Sequence, residues 1–418
     1  MFLHLRLNRL VIIVCLLLLS GCSVFSSGNA QRSSTGTDPS FAIQNTWNNI
    51  HTFLTFDSTV VNPAGVSNRY DFVWGAEVNH VPELMRGNPA IFLTYYMAFH
   101  RDMGTFTQDG GVGRLTYWQA SHPDWILYKC DRITPAYEFT DPSVPLDFSN
   151  PAVISWQVQT YAQPASLLGY RGIAADNVNL KNLFGACGFY RGGTWVQRYT
   201  GQIDDSQWSE DVLHWLGRMR QALHHLAHPL ALIPNLTVSA LGRLTSDNPL
   251  IQRILNNVDG VVDEGGFTDY GQGYLSDDDW LARVQFIRYV QQHNKPYYII
   301  NVFPGVDHAA FQWALASYLE AKEQACALYI SVVNKYGTDA WHKEYYTQIG
   351  SPADTMYLTQ HVYVRDYTHG ISIVNSSASN SYTFTLNAFR RYSDLDGHSI
   401  GPVIEMAPHS GIVLLLTT

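Results

Sequence analysis

The chain has 418 residues, 46% hydrophobic and 13% aromatic, with only 15% charged. That balance excludes a disordered chain, whose proportions run the other way, and the length suits two or three domains, or one barrel of about 250 residues with an accessory unit. With 26 basic residues against 35 acidic, the net charge is -9, so nucleic acid is not expected as a partner, because phosphate binding needs a clustered basic face.

Residues 1–22 read as an export signal. Arg6 and Arg9 flank an unbroken apolar run from Val11 to Leu19, too short for the roughly 20 residues of a spanning helix. The run ends in Leu19-Ser20-Gly21-Cys22, which resembles the bacterial lipobox. The resemblance implies that Cys22 is diacylated, and two acyl chains hold a protein on a membrane firmly where one does not. An ordinary secretory signal is the other reading. Residues 23–44, rich in Ser, Gly, Thr and Asn up to Ser40, read as a flexible tether. The folded part is therefore expected at the outer side of the cell membrane, or in a periplasm, held by a lipid anchor and monomeric. Beyond Cys15 and Cys22, the cysteines Cys130, Cys187 and Cys326 are odd in number and widely spaced. This is neither a disulfide framework nor a zinc pattern, and it allows one bridge at most.

From residue 50 onward, β-branched and aromatic runs recur at 50–56, 72–76, 91–96, 172–177, 230–235, 258–264, 297–302 and 328–333. Several are hydrophobic nearly throughout, as parallel strands covered on both faces must be. Helical signals lie between them. Asn150-Pro151 offers an N-cap followed by proline at the first helical position. Over residues 209–228, Val212, Leu213, Trp215, Leu216, Met219, Leu223 and Leu226 recur close to every 3.6 residues. Ser276 with Asp279 reads as a capping-box variant ahead of Leu281, Val284 and Ile287. Eight β/α steps predict an α/β TIM barrel over residues 45–354. A doubly wound open sheet is disfavoured because no glycine-rich phosphate fingerprint follows the first strand. The interval between the third and fourth strands is too long for a simple connection. With Gly110-Gly111-Val112-Gly113 inside it, it reads as an elaborated loop shaping a binding site. After residue 355 the helical period disappears. Short runs at 362–364, 371–374, 382–386 and 412–416, with turns at His369-Gly370 and Asp396-Gly397, predict a small antiparallel β-domain over 355–418.

In a TIM barrel the C-terminal strand ends point into the mouth. Those ends are Asp57, Glu77, Tyr96, Asp176, Asn235, Glu264, Asn301 and Asn334. The two-residue period puts Asp176 on one face with Gly172 and Ala174, and Glu264 with Gly260 and Val262. Small residues suit the inside of a tight barrel. Strands four and six are two apart, so their inward acids should lie about 5–9 Å apart, the interval in which a carboxyl pair hydrolyses a glycosidic bond. A register shift of one residue would bring in Asp263 instead.

The succession His122-Pro-Asp-Trp125, Asp147-Phe-Ser-Asn-Pro151, Gly169-Tyr-Arg-Gly-Ile-Ala-Ala-Asp-Asn177 and Val258-Asp-Gly-Val-Val-Asp-Glu264 resembles the TIM-barrel glycosyl hydrolases. It is similar in particular to the hypothetical glycosyl hydrolase family fifteen, related to the polygalactosaminidase and α-galactosidase-like barrels. The resemblance spans about residues 45–418. It implies a glycoside hydrolase without metal or other cofactor, with Asp176 as nucleophile and Glu264 as acid/base. The sequence departs from related barrels at Asn179, where several place a further acid, so no substrate carries over.

The other strand-end groups (Asp57, Glu77, Tyr96, Asn235, Asn301 and Asn334), with Asn177, Trp125 and Tyr336, are expected to bind the sugar by hydrogen bonding and stacking. Tyr95 and Trp118 also fall near the mouth. His224, His225 and His228 lack the glutamate of a zinc-protease motif and read as a solvated helix face. The expected function is hydrolysis of an extracellular poly- or oligosaccharide. The alternative is a catalytically silent carbohydrate-binding surface lipoprotein. A structural lipoprotein, the third possibility, would have its mouth filled and both acids salt-bridged.

Overall fold

Uninterrupted apolar runs need cover on both faces, and a parallel barrel wrapped in helices supplies it. The computed structural model describes residues 49–103, 115–138, 143–236 and 249–417. The export segment with Cys22, the tether and the 110–113 glycine run lie outside the described residues. Eight strands lie side by side in chain order: β1 (Phe53–Thr55), β2 (Phe72–Trp74), β3 (Phe92–Ala98), β4 (Gly172–Val178), β5 (Ala231–Leu236), β6 (Val261–Asp263), β7 (Tyr297–Phe303) and β8 (Cys326–Val332). Every neighbouring pair is parallel. At the seam Thr52 bridges Leu328 in parallel, and the Leu328 N–H donates to the His51 carbonyl at 2.9 Å, so the barrel is nearly closed. Each of the eight expected runs contains or overlaps one of these strands.

Alternation divides the strands between two cores. Phe53, Phe72, Trp74, Ala174, Ile233, Val262 and Tyr298 fill the barrel interior, where Phe72 stacks on Tyr298 at 4.1 Å. Ile173, Ala175, Leu232, Val261 and Ile299 face outward against the helices. The helix after β3 (Pro151–Gln157) starts as its cap predicts, with Asn150 Oδ1 accepting from the Ala152 N–H. The helix after β4 (Ser206–His224) begins three residues before the expected 209, because the Asp205 carboxylate caps it by accepting from the Trp208 N–H at 3.0 Å. Beyond its end His225 and His228 are exposed, but His224, its last residue, is not simply solvated: its Nε2 meets Asp259 Oδ2 at 2.8 Å. The expected capping box at Ser276 does not form. The Ser276 hydroxyl instead meets His409 Nε2 at 3.0 Å, reaching the C-terminal sheet.

Two insertions stand on the mouth of the barrel, one more than expected. The long β3 connection contributes the strand Tyr128–Lys129, and the β4 connection contributes a hairpin, Ala186–Arg191 with Thr194–Gln197. The three make one small antiparallel sheet. A Cys130–Cys187 disulfide ties the insertions together, while Cys326 is free and buried.

The C-terminal region forms β9 (Tyr357–Thr359), β10 (Val362–Tyr367), β11 (Gly370–Asn375), β12 (Tyr382–Thr385), β13 (Arg391–Ser393), β14 (Ser399–Ile400), β15 (Val403–Met406) and β16 (Ser410–Thr417). Six of them build an antiparallel sheet in the order β9-β10-β11-β16-β13-β14, and β12 pairs with β15. This sheet packs on the helix after β7, His308–Ala321. The Ser372 hydroxyl donates to the Ala316 carbonyl at 3.1 Å, Tyr367 to the Leu319 carbonyl at 2.6 Å, and the Val413 N–H to Gln312 Oε1 at 3.1 Å. Covered on both sides, that helix is buried along nearly its whole length, which explains why it is apolar all round. Barrel and sheet form one compact unit. Among the described residues no helix is long and apolar enough to cross a membrane.

Candidate active site

Asp176 ends β4 at an irregularity. The register against β5 slips between Ala175 and Val178, and Asn177 adopts φ 59°. An extra residue of this kind bends a strand and re-aims its side chains, and both Asp176 and Asn177 are half-buried there. Glu264 follows β6 on the face of Val262, which is inside the barrel. Asp263 takes the other face. Fully buried, it accepts from the Gly265 and Gly266 N–H groups, from Arg283 Nη1 at 2.6 Å and from the Tyr297 hydroxyl at 2.9 Å. Of the two adjacent acids, Glu264 is the one on the inward face, bonded to Asn235 and Tyr336.

Asn235, at the end of β5 between the two acid-bearing strands, joins them. Its Nδ2 donates to Asp176 Oδ1 at 3.1 Å and to Glu264 Oε2 at 2.9 Å. Two bonds of that length to one nitrogen hold the two oxygens within about 6 Å of each other. A tyrosine completes each carboxylate. Tyr96 donates to Asp176 Oδ2 at 2.7 Å, with Asn177 Nδ2 at 3.3 Å, and Tyr336 donates to Glu264 Oε1 at 2.8 Å. Neither acid forms an ion pair among the described residues; all their partners are neutral. Burial raises the Glu264 carboxyl above its usual range, and the facing Asp176 charge adds to this, against the opposing pull of the Asn235 and Tyr336 bonds. Tyr96 and Tyr336 are pushed upward by burial and by the carboxylates they serve, so both remain proton donors.

Glu264 also lines a cavity of about 560 Å³. The two insertions supply part of its wall, Lys129, Tyr137 and Glu138 from one and Leu183 and Phe184 from the other, and Asn177, Asn179 and Tyr270 line it as well. Glu138 is 1% exposed and lies 3.1 Å from Arg101 Nε, so its charge is compensated within the wall. Asn179, where several related barrels place a further acid, is buried and accepts from the Lys181 N–H at 2.9 Å.

Five of the expected binding residues show no hydrogen bond to either acid. Asp57 is buried and holds the turn after β2, accepting from the Glu77 N–H at 2.8 Å with His80 Nδ1 at 3.0 Å. Glu77 is exposed at the start of the turn Val78–His80, outside the cavity lining. Asn301 is buried and pins the loop after β6, its Oδ1 accepting from the Phe267 N–H at 2.8 Å. Asn334 is exposed in a left-handed turn after β8. Trp125 stacks on His122 at 4.1 Å and packs with Trp118 inside the first insertion. Trp118 itself is buried with its Nε1 donating to Asp102, and Tyr95 packs between Tyr161 and Tyr170. Sequence reasoning missed Lys129, Tyr137, Glu138, Leu183, Phe184 and Tyr270. For Tyr270 a signal existed, the glycines Gly265, Gly266 and Gly271 around it.

No protein-family model and no curated protein matches the chain. Among solved structures it is similar to a noncanonic maltogenic α-amylase, AmyB, from Thermotoga neapolitana, at 11% identity and a TM-score of 0.49, over 89% of this chain and 99% of that one. It is also similar to the glycoside hydrolase domain of PelA from Pseudomonas aeruginosa (13%, TM-score 0.41, 68% of this chain and 94% of that one). A third is a GH36 α-galactosidase, AgaA, from Geobacillus stearothermophilus (10%, TM-score 0.39, 88% of this chain and 56% of that one).

Proposed function

We propose that the protein is a glycoside hydrolase acting on an extracellular poly- or oligosaccharide, with Asp176 and Glu264 as its two carboxylates. The observation that carries the reading is the Asn235 amide held between them at 3.1 and 2.9 Å. Two acids at the barrel mouth, bridged by one neutral donor and free of cationic partners among the described residues, are not placed for structural salt bridging. Their separation suits a double displacement, for which carboxyl groups stand about 5–5.5 Å apart, better than inversion at about 6.5–9.5 Å.

Glu264, whose carboxyl is raised, gives its proton to the glycosidic oxygen as that bond breaks. Asp176 attacks the anomeric carbon, forming a glycosyl ester. Glu264, now a carboxylate, takes a proton from water, and the water oxygen displaces Asp176 and restores both groups. Asn235 and Tyr96 spread the charge that Asp176 carries before its attack and regains when the ester breaks. Export and attachment to the membrane through Cys22 complete the proposal.

The test is hydrolysis of three hexasaccharides, maltohexaose (neutral), chitosan hexaose (cationic) and hexagalacturonate (anionic), followed by reducing-end assay and by NMR of the first-formed anomer. At least one is cleaved with retention, kcat falls at least about 10³-fold in Asp176→Asn and Glu264→Gln, and about 10²-fold in Asn235→Ala, the size of one lost preorganised donor. Saccharide binding without cleavage by the wild type would replace hydrolysis with a binding function. Inverted product would assign Asp176 as base rather than nucleophile.

A further inference from the structure

The loop leaving Glu264 is strained. Asp269 and Tyr270, consecutive and neither a glycine, lie in the left-handed region at φ 42° and 58°. A bulky residue takes that conformation only where its surroundings impose it, and such outliers gather at functional sites. The surroundings here are specific. Asp263 Oδ1 accepts from the Gly265 and Gly266 N–H groups at 3.0 and 3.2 Å. Asn301 accepts from Phe267, and the Thr268 hydroxyl accepts from the Val302 N–H at 3.2 Å. Gly266, at φ 48°, passes so close to β7 that a Cβ would lie 2.1 Å from the Ile300 carbonyl oxygen. Residues 266–268, just before the strained pair, are thus clamped to β7.

Tyr270, directly after this clamp, lines the same cavity as Glu264 and packs against Gly265, with a ring carbon 3.4 Å from where a Cβ on that glycine would be. Tyr137 and Phe184 from the two insertions line the same cavity. We infer that Tyr270 is the stacking platform for a pyranose ring bound next to Glu264. The inference deepens the proposed hydrolase reading and rests on it. An aromatic face gives the C–H face of a pyranose a large, flat, rigid contact. Glycine or asparagine at 270 would satisfy the left-handed turn with less strain, and neither offers such a face.

The experiment is calorimetric titration of maltohexaose, chitosan hexaose and hexagalacturonate into Glu264→Gln protein, alone and with Tyr270→Gly, Tyr270→Asn or Tyr270→Trp added, with a thermal melt of each. The inference expects Tyr270→Gly and Tyr270→Asn to weaken the bound hexasaccharide about tenfold or more while Tm holds or rises. Tyr270→Trp keeps affinity within about threefold. Unchanged affinity in Tyr270→Gly and Tyr270→Asn would overturn the platform and leave the hydrolase reading standing. A fall in Tm with affinity intact would make Tyr270 a packing residue. Binding of none of the three by the parent, with no cleavage by the wild type, would overturn the hydrolase reading and the platform together.

Discussion

Asp263 and Glu264 are consecutive in the chain and face opposite sides of the barrel wall: Glu264 is bonded to Asn235 and Tyr336 at the mouth, and Asp263 to Arg283 and Tyr297 beneath the helices. Side chains of a strand alternate, so one of two adjacent acids must turn outward, where only a cation and full hydrogen bonding make its burial tolerable. The two acids therefore predict opposite losses. Asp263→Asn should cost about 3–5 kcal/mol of stability, the effect of leaving Arg283 buried without its partner, while activity per folded molecule remains. Glu264→Gln should abolish turnover with Tm unchanged. Urea melts and initial rates on both variants check this, and a catalytically dead but fully stable Asp263→Asn would reverse the assignment.

The raised Glu264 carboxyl sets a pH profile. A general acid must be protonated, so the rate falls as pH rises through its pKa, and this limb lies above the usual carboxylate range. The Tyr336 bond stabilises the ionised form and pulls the value down. Removing it in Tyr336→Phe should move the alkaline limb to higher pH. A kcat/KM profile that shifts the other way, or stays in place, would contradict the role of Tyr336.

Glu320 gives stability its own pH dependence. It is fully buried under the C-terminal sheet, and burial pushes its carboxyl up to about 8, against the pull of Arg365 and Arg288. The folded state then holds a proton that the unfolded chain has released. Its contribution to stability is present in full below the usual glutamate range and is lost as pH rises to about 8. Glu320→Gln should flatten this slope and melt higher than wild type at pH 9 by a few degrees. Equal slopes in thermal melts from pH 5 to 9 would show that Glu320 does not titrate in this window.

The Cys130–Cys187 bridge joins two insertions that share the outer cavity wall. Replacing both cysteines by serine should cost roughly 2–4 kcal/mol and raise KM more than it lowers kcat, since the bridge touches the wall and not the two acids. A kcat loss at constant KM would show that the insertions also shape the reacting groups.

The eight strands were legible because a parallel strand buried on both faces has to be apolar along its length, as Tyr297–Phe303 is. The acids were legible because Gly172 and Ala174, or Gly260 and Val262, announce the inward face through the two-residue period. Strand ends alone were a weaker guide: Asp57 and Asn301 meet the same criterion as Asn235, yet they bind backbone N–H groups in neighbouring turns. Nothing local distinguishes an amide that bridges two carboxylates from one that pins a loop. The C-terminal sheet was expected, but the three backbone contacts that seat it on His308–Ala321 were not.

The sequence by itself determined the barrel, its accessory sheet and the two acids, since periodicity and burial act residue by residue along the chain. Tertiary structure alone decided that Asn235 stands between those acids, that Cys130 meets Cys187, and that residues of two insertions line one cavity with Tyr270. Those contacts join residues that no local period relates, and they exist only once barrel closure brings separate loops to one mouth.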